Sequence, residues 1–399
     1  MQNKLPRIMV LSQSPVERDA RVLRQISALQ TVGSVFVLGY GGRPSLLRPQ
    51  DTFVSITWKG IGLLGKARNA VLLGAGRLLV SHPIDEHYYW GFAHHRQMWK
   101  AAREHSVDLV VANDWDTLPI AARLRQVTGC RMILDLHEHA PLQYDHLALW
   151  RWLNGPAVAR ALHHYMPSVD AAFAVSPIIA DELTRQFGRP FDVQRNLPCT
   201  STLPDFHPTD GSRIRLVHHG GATRARALER MIHAVAEAGE RFELHFLLVG
   251  DTDYVHELKV LSRRLAPGRC HFHTPVAPGK IVERIAEFDL GLFLLPPTNT
   301  NYRLALPNKF FEFVTAGLGT CTGPSPEMAE LARAHGFGLV STDFGPSSMA
   351  TLLRSLDGQQ IDGLKRRSIE ARRELNAASE MNKLVDVARV LSSSPRGEE

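Results

Sequence analysis

The chain has 399 residues, of which 44% are hydrophobic and 22% charged, and its formal net charge is +6. That length exceeds one compact core and suits two domains, and the composition excludes a disordered or low-complexity chain. No apolar run reaches the ~18 residues of a spanning helix, and no Lys/Arg-dominated segment marks a nucleic-acid binder, so the mild positive excess fits an anionic ligand such as a phosphate, or an anionic membrane surface.

The opening residues lead straight into IMVLSQS, an apolar run too short for a signal segment that is predicted as the first strand. Strands are predicted at Arg7–Leu11, Ser34–Leu38, Phe53–Thr57, Asp108–Ala112, Arg131–Asp135 and Ala171–Val175. Helical periodicity lies between them, as with Val22, Ile26 and Leu29 in RDARVLRQISALQ. Near-continuous apolar strands alternating with helices predict parallel βαβ units covered on both faces. CTSTLPDFHPTDGS, residues 199–212, is rich in turn formers and predicts a linker. Strands follow at Ile214–His218, Glu243–Val249 and Leu290–Leu295, with Leu228, Met231, Ile232 and Val235 spaced as one helix face. EMNKLVDVARVLSS predicts a final amphipathic helix, and SPRGEE, residues 394–399, is expected to fray. The result is two doubly wound α/β halves, with ligands expected at the carboxyl ends of the strands.

Four widely separated cysteines form no CxxC pair, which argues against a zinc knuckle or disulfide framework and for a reducing compartment. The nineteen histidines, including the pairs at 94–95 and 163–164, show no repeated ligand spacing and read as surface or core residues.

Three stretches carry candidate chemistry. In RLVHHGGATRARALERMIHAV a strand ending at His218 is followed by Gly220 and Gly221, expected to open a turn, and by Arg224 and Arg226 before a helix. Close backbone approach, a helix start and guanidinium groups make an anion site. A plain βα turn with solvated arginines reads equally well. In LPNKFFEFVTAG, Pro307 or Asn308 starts a helix that Gly317 ends, with Phe310, Phe311 and Val314 facing inward. Lys309 then lies beside a phosphate, and Glu312, with two carboxylate oxygens, suits the vicinal diol of a ribose. A salt-paired lysine and a dipole-complementing acid are the plain alternatives. ILDLHEHAP places Asp135, His137, Glu138 and His139 at a strand end, where alternation sends neighbours to opposite faces and disfavours a three-ligand metal set.

LPNKFFEFVTAGLGTCTGPSPEMAEL resembles the donor-binding signature of retaining GT-B glycosyltransferases, the large group that builds bacterial polysaccharides and lipid-linked sugars. GGATRARALERMIHA, FLLVGDTDY and IAEFDLGLFLLPP resemble three further elements in the same order. ERDARVLRQISAL, VVANDWDTLPIAA, LDLHEH and AAFAVSPIIADELTRQFG resemble the acceptor domain, so the likeness covers nearly the whole chain.

The resemblance implies a GT-B fold of two Rossmann-like domains facing a cleft. It divides the chain into an acceptor domain over 1–198, the linker, a nucleotide-sugar domain over 213–375 and a helix over 376–391 returning to the first domain. Glu312 matches the second glutamate of the E-x7-E motif, which binds the nucleotide ribose. Arg226 matches the residue on the donor diphosphate, and Gly220 and Gly221 the loop beside it. His137 matches a histidine near the transferred sugar, by acid/base chemistry or hydrogen bonding, with Glu138 beside it on the acceptor side. Two departures are evident. The first motif glutamate is Leu304, and an arginine that often follows the loop glycine is Gly221, so that Lys309 or Arg224 supplies the positive charge. The family's glycine-rich loop near the first helix is replaced by SQSPVERDARV, so Asp19 or Arg21 is expected to meet the acceptor, with helix capping as the alternative. NDWDTLP similarly offers Asp114 and Asp116 to the cleft, with turn capping as the favoured alternative.

WKGIGLLGKARNAVLLGAGRLLV, residues 58–80, carries Lys59, Lys66, Arg68 and Arg77 and no acid. It either lies on an anionic membrane, suiting a lipid-linked acceptor, or is a buried helix with basic edges. The implied activity is metal-independent sugar transfer, with retention, from a nucleotide sugar to a saccharide or lipid-linked acceptor. No other cofactor and no nucleic acid are expected, and the place is the cytoplasm or the inner membrane face. The rivals are a nucleotide-sugar epimerase and a non-catalytic partner subunit. A phosphorylase would need a pyridoxal lysine that nothing specifies, and a nicotinamide dehydrogenase lacks its GxGxxG after the first strand.

Overall fold

The computed structural model describes residues 5–200 and 202–393. The expectation of fraying at 394–399, and position 201 of the predicted linker, lie outside them. The chain divides into two compact units. The first takes the chain up to Arg195, Asn299–Asn301 and the segment from Glu380 on, and the second takes Asn196–Thr298 and Tyr302–Ser379.

The first unit is built on seven strands: β1 (Arg7–Pro15), β2 (Ser34–Tyr40), β3 (Thr52–Ser55), β4 (Leu109–Asn113), β5 (Arg131–Leu136), β6 (Ala171–Ala174) and β7 (Asp192–Val193). All pair in parallel, in the order β3-β2-β1-β4-β5-β6-β7. The order reverses between β1 and β4, so the carboxyl ends of these two strands flank the point where such sheets bind ligands. Ile8, Val10, Val111, Ile133 and Phe173 form a core with Val22 and Ile26 of the helix Ala20–Leu29. Leu384, Val385 and Ala388 of the last helix, Ala377–Ser393, pack into the same core.

The second unit holds β8 (Ile214–Ala222), β9 (Phe242–Gly250), β10 (Cys270–His273), β11 (Leu290–Phe293), β12 (Gly319–Thr322) and β13 (Gly338–Val340). They too are parallel, in the order β10-β9-β8-β11-β12-β13, with the reversal between β8 and β11. Met231, Ile232 and Val235 cover one face of the sheet with Leu216 and Leu292, while Phe310, Phe311 and Val314 cover the other with Val217 and Phe293.

Three differences from the sequence expectations have physical causes. The strand expected to stop at His218 runs on to Ala222, because Gly220, Gly221 and Ala222 pair with Leu248, Val249 and Gly250 of β9. The strands β7, β10, β12 and β13 escape a hydrophobicity reading: DV and GLV are very short, and CHFH and GTCT carry polar atoms, although all four residues of β12 are buried. The third concerns 58–80. A helix spans Leu63–Leu79, but its buried residues are only Asn69, Leu73 and Gly76, while Leu63, Leu64 and Leu78 are more than 80% exposed. The buried-helix reading is overturned. Among the described residues no helix is long and apolar enough to cross a membrane.

Candidate active site

The donor-side candidates gather in the second unit where β8 ends. The helix Asn308–Thr315 begins behind extended Pro307, which presets its entry. Its apolar residues are buried, and so is Lys309, at 7% exposure. The ammonium lies 5.0 Å over the Phe293 ring and 3.4 Å from His218 Nε2. The His218 Nδ1 faces the Leu292 carbonyl at 2.9 Å, so Nδ1 carries the proton and Nε2 accepts from Lys309. Gly220 has φ +105°, and a methyl group there would come within 3.1 Å of the Lys309 Nζ. One on Gly221 would stand 2.9 Å from Arg226 Nη1, which donates to the Gly221 carbonyl at 2.9 Å. The paired glycines thus let two cations lie against one strand end.

Burial and the nearby Arg226 push the Lys309 amine down to about 7, against a smaller opposing pull from Glu312. Glu312 Oε2 lies 3.3 Å from His219 Nε2. Burial, with repulsion from Lys309, takes His219 down to about 3 and keeps that imidazole neutral. Gly220, Gly221, Arg226, Lys309 and Glu312 therefore share one neighbourhood. Arg224 keeps other company: it forms a two-pronged pair with Glu257, both more than half exposed, and stacks over Tyr254. Leu304 is fully buried.

In the first unit His137 follows β5 and lies beside the end of β4. Its Nδ1 is 3.1 Å from Asp114 Oδ2, and its Nε2 is 3.1 Å from Asn113 Oδ1 and 3.3 Å from Asp135 Oδ2. Asn113 donates through Nδ2 to the Leu11 carbonyl, which turns its oxygen toward His137. Both ring nitrogens face acceptors, so both carry protons. Burial opposes this charge, but Asp114 and Asp135 outweigh it and raise His137 to about 10. The imidazolium is a cation and hydrogen-bond donor at neutral pH, not a free base. Asp114 has φ +63°, a conformation uncommon outside glycine, and its Oδ1 accepts from the His137 amide at 2.9 Å. Asp116 has a buried, unpartnered Oδ1 and is raised to about 8 by burial and the neighbouring Asp114.

Arg21 is 2% exposed and wholly engaged: Nε and Nη2 donate to Asp135, and Nη1 donates to the Gln194 carbonyl. It cannot meet an acceptor from there, which corrects the sequence expectation, and it serves to hold Asp135. Asp19 is the N-cap of the helix Ala20–Leu29, accepting from the amides of Arg21 and Val22 at 3.1 and 3.2 Å. Its carboxylate also accepts from Ser14 at 2.7 Å. Glu138 is exposed, with Oε2 accepting from Asn301 at 3.0 Å. The sequence reading assigned no role to His218, His219 or Asn113. The only signal for the first two was the HH directly before GG, which on a strand sends one imidazole to each face.

The two parallel sheets and their strand orders define a GT-B fold, the architecture implied by the resemblance to retaining GT-B glycosyltransferases. The chain matches the family model of Glycosyltransferase Family 4 over residues 63–196. No curated protein matches its sequence. Among solved structures it resembles HepE of Anabaena in complex with UDP and glucose, at 17% identity over 98% of this chain and 100% of that one, with a TM-score of 0.69. Sucrose-phosphate synthase from Thermosynechococcus elongatus superposes with a TM-score of 0.70 at 12% identity, covering 97% of this chain and 99% of that one. The α,α-trehalose 6-phosphate synthase from Burkholderia multivorans gives 0.65 at 12% identity, covering 98% of each chain.

Proposed function

We propose that this chain is a glycosyltransferase that takes a sugar from a nucleoside diphosphate sugar, most simply a UDP-sugar, and passes it with retention to a saccharide or lipid-linked acceptor. One observation carries the reading: a buried lysine and an arginine lie against a glycine-opened strand end, with a carboxylate on the same helix as the lysine. HepE, the neighbour solved with UDP and glucose, supports the choice of nucleotide.

As the glycosidic bond breaks, the diphosphate leaves with added negative charge. Arg226 and Lys309 stabilise that charge through groups already in place. Glu312 accepts from the ribose hydroxyls, and His137 donates to the transferred sugar as an imidazolium. Asp114, Asn113 and Asp135 hold that ring, and Arg21 holds Asp135 as a positioning residue. On the acceptor side, a cavity of about 130 Å³ in the first unit is walled by Tyr88, Tyr89, Trp115, Trp150 and Tyr165. Aromatic walls suit a sugar face or a lipid-linked chain. The exposed leucines of the helix Leu63–Leu79, with Lys66, Arg68 and Arg77 among them, rest on an anionic membrane, and the adjoining turn adds exposed Trp152.

Glu312→Ala is expected to weaken UDP binding by about 10-fold or more, the worth of one or two hydrogen bonds to a charged group. Calorimetric titration with UDP checks this, and unchanged affinity and turnover in the variant would remove the site. Vesicles containing phosphatidylserine are expected to pull down the wild type and to lose the Leu63→Ser/Leu64→Ser variant; equal sedimentation of both removes the membrane reading.

The burial of Leu304 supports a second reading, a non-catalytic partner subunit. Release of UDP from a UDP-sugar by the purified chain with acceptor, but not without it, separates transferase from both the silent subunit and an epimerase.

A further inference from the structure

The second sheet carries a cluster that the proposed reaction does not use. On β9, Glu243 and His245 alternate onto one face; on β10 so do His271 and His273. The strands pair in parallel with His271 opposite His245, so four ligand-type side chains line one patch at the sheet edge, where β10 is the terminal strand. The His245 and His271 rings stack with centroids 4.6 Å apart, and the His273 ring lies 5.2 Å from that of His245.

His245 Nδ1 and His273 Nε2 face each other at 2.9 Å, but two other nitrogens of the patch are unspent. His245 Nε2 and His271 Nε2 are both buried and have no hydrogen-bond partner. Leaving such atoms unmatched is unfavourable. Both aim at Glu243 Oε2, from 3.5 and 3.6 Å, beyond a good hydrogen bond. Two ligands each about 2.0–2.1 Å from a tetrahedral metal stand roughly 3.3–3.5 Å apart. All three ligand atoms lie within 4.8 Å of one another. The two His-to-Glu243 separations lie close to that of ligands sharing an ion.

We propose that Glu243, His245 and His271 form a binding site for a divalent transition-metal ion of the zinc class, clamping the edge strand β10 to β9. Two imidazoles and a carboxylate suit such an ion, and the partly exposed His271 leaves room for entry and for a water as fourth ligand. His273 is the outer partner: its Nε2 lies 2.9 Å from His245 Nδ1, so when His245 binds metal through Nε2 its Nδ1–H donates a hydrogen bond to His273 Nε2. Arg284, 3.4 Å from His273 Nδ1, then turns away. Arg213 is the competitor. Its Nε and Nη2 donate to Glu243 at 2.7 and 2.9 Å, and its side chain is 60% exposed. Metal binding leaves it the Oε1 contact and takes Oε2.

The test uses untagged full-length protein and Zn²⁺ alone, read by calorimetric stoichiometry and melting temperature. Wild type is expected to bind one equivalent and to melt higher with the ion. His271→Asn and Glu243→Gln are expected to lose about 100-fold or more in affinity while melting as the metal-free wild type does. His163→Asn, on an exposed histidine elsewhere, is expected to bind as wild type. Arg213→Ala is expected to bind more tightly, because a competing cation has gone. The site is overturned by absence of one-equivalent binding in the wild type, by equal affinity in wild type and both ligand variants, or by weaker binding in Arg213→Ala.

Discussion

Lys309→Met is expected to lower turnover ~100- to 1,000-fold, the usual effect of removing one preorganised donor to a developing negative charge. The side chain keeps its length and apolar stem and loses only the ammonium. Because burial and Arg226 depress the amine to about 7, a lysine here is partly neutral at physiological pH until an anion arrives. A diphosphate beside it raises the amine again, so UDP binding at pH 8 should take up a proton, and affinity should fall as pH rises above about 7. Titrations in buffers of different ionisation enthalpy read that proton directly, and the Met variant should show neither the uptake nor the pH slope. Misfolding is separable from loss of function. The folded amine sits below its ordinary 10.5, so the unfolded chain binds more protons across about pH 7 to 10.5, and stability from this group rises with pH through that window. Removing the charge should hold or raise the melting temperature at pH 7. A slow variant that melts lower, with no change in proton uptake, would assign Lys309 to packing.

Arg21→Met is expected to destabilise the first unit by ~3–5 kcal/mol, the effect of stripping one partner from a buried ion pair. Asp135 is fully enclosed, and Arg21 supplies its two-pronged partner. Gln25 also donates to it, and the His137 imidazolium is the remaining charge within reach. Without Arg21, His137 carries more of the load and its ring is drawn toward Asp135. Activity should therefore fall in the fraction that stays folded, and by the same reasoning Arg21→Met/Asp135→Asn should be more stable than Arg21→Met alone. Chemical denaturation of the three proteins gives the comparison. A loss below ~1 kcal/mol in the single variant would place the pair in the class of surface bridges. His137 adds a pH term of opposite sign to that of Lys309. Its folded value of about 10 exceeds the ordinary 6.5, so its contribution is complete below about pH 6.5 and is lost as pH climbs through about 10.

Much of the architecture was legible along the chain. Apolar runs placed β1, β4, β5, β8 and β9, near-continuous in β4 and interrupted by polar residues in β8 and β9, and LPNKFFEFVTAG announced a short amphipathic helix with its start and stop. Four strands were missed: β7 and β13 are only two and three residues long, β10 carries two histidines, and β12 is buried through small and polar residues, Gly319, Thr320 and Thr322 among them. The candidate donor residues were legible as types and spacings, but Lys309 and Arg224 looked alike in the sequence. One is enclosed beside two glycines and a histidine; the other is a solvated partner of Glu257.

Local sequence by itself determined which segments alternate between strand and helix, that there would be two such series, and which short stretch joins a lysine to a carboxylate within one helical turn. Backbone periodicity and turn chemistry act over a few residues, so they can be read in order. Tertiary structure alone decided the company each charge keeps. Arg21 meets Asp135 across 114 positions, and Lys309 meets His218 across 91. Charge state follows from that company, because burial and neighbouring charges set a proton's affinity and neither is a property of the residue alone.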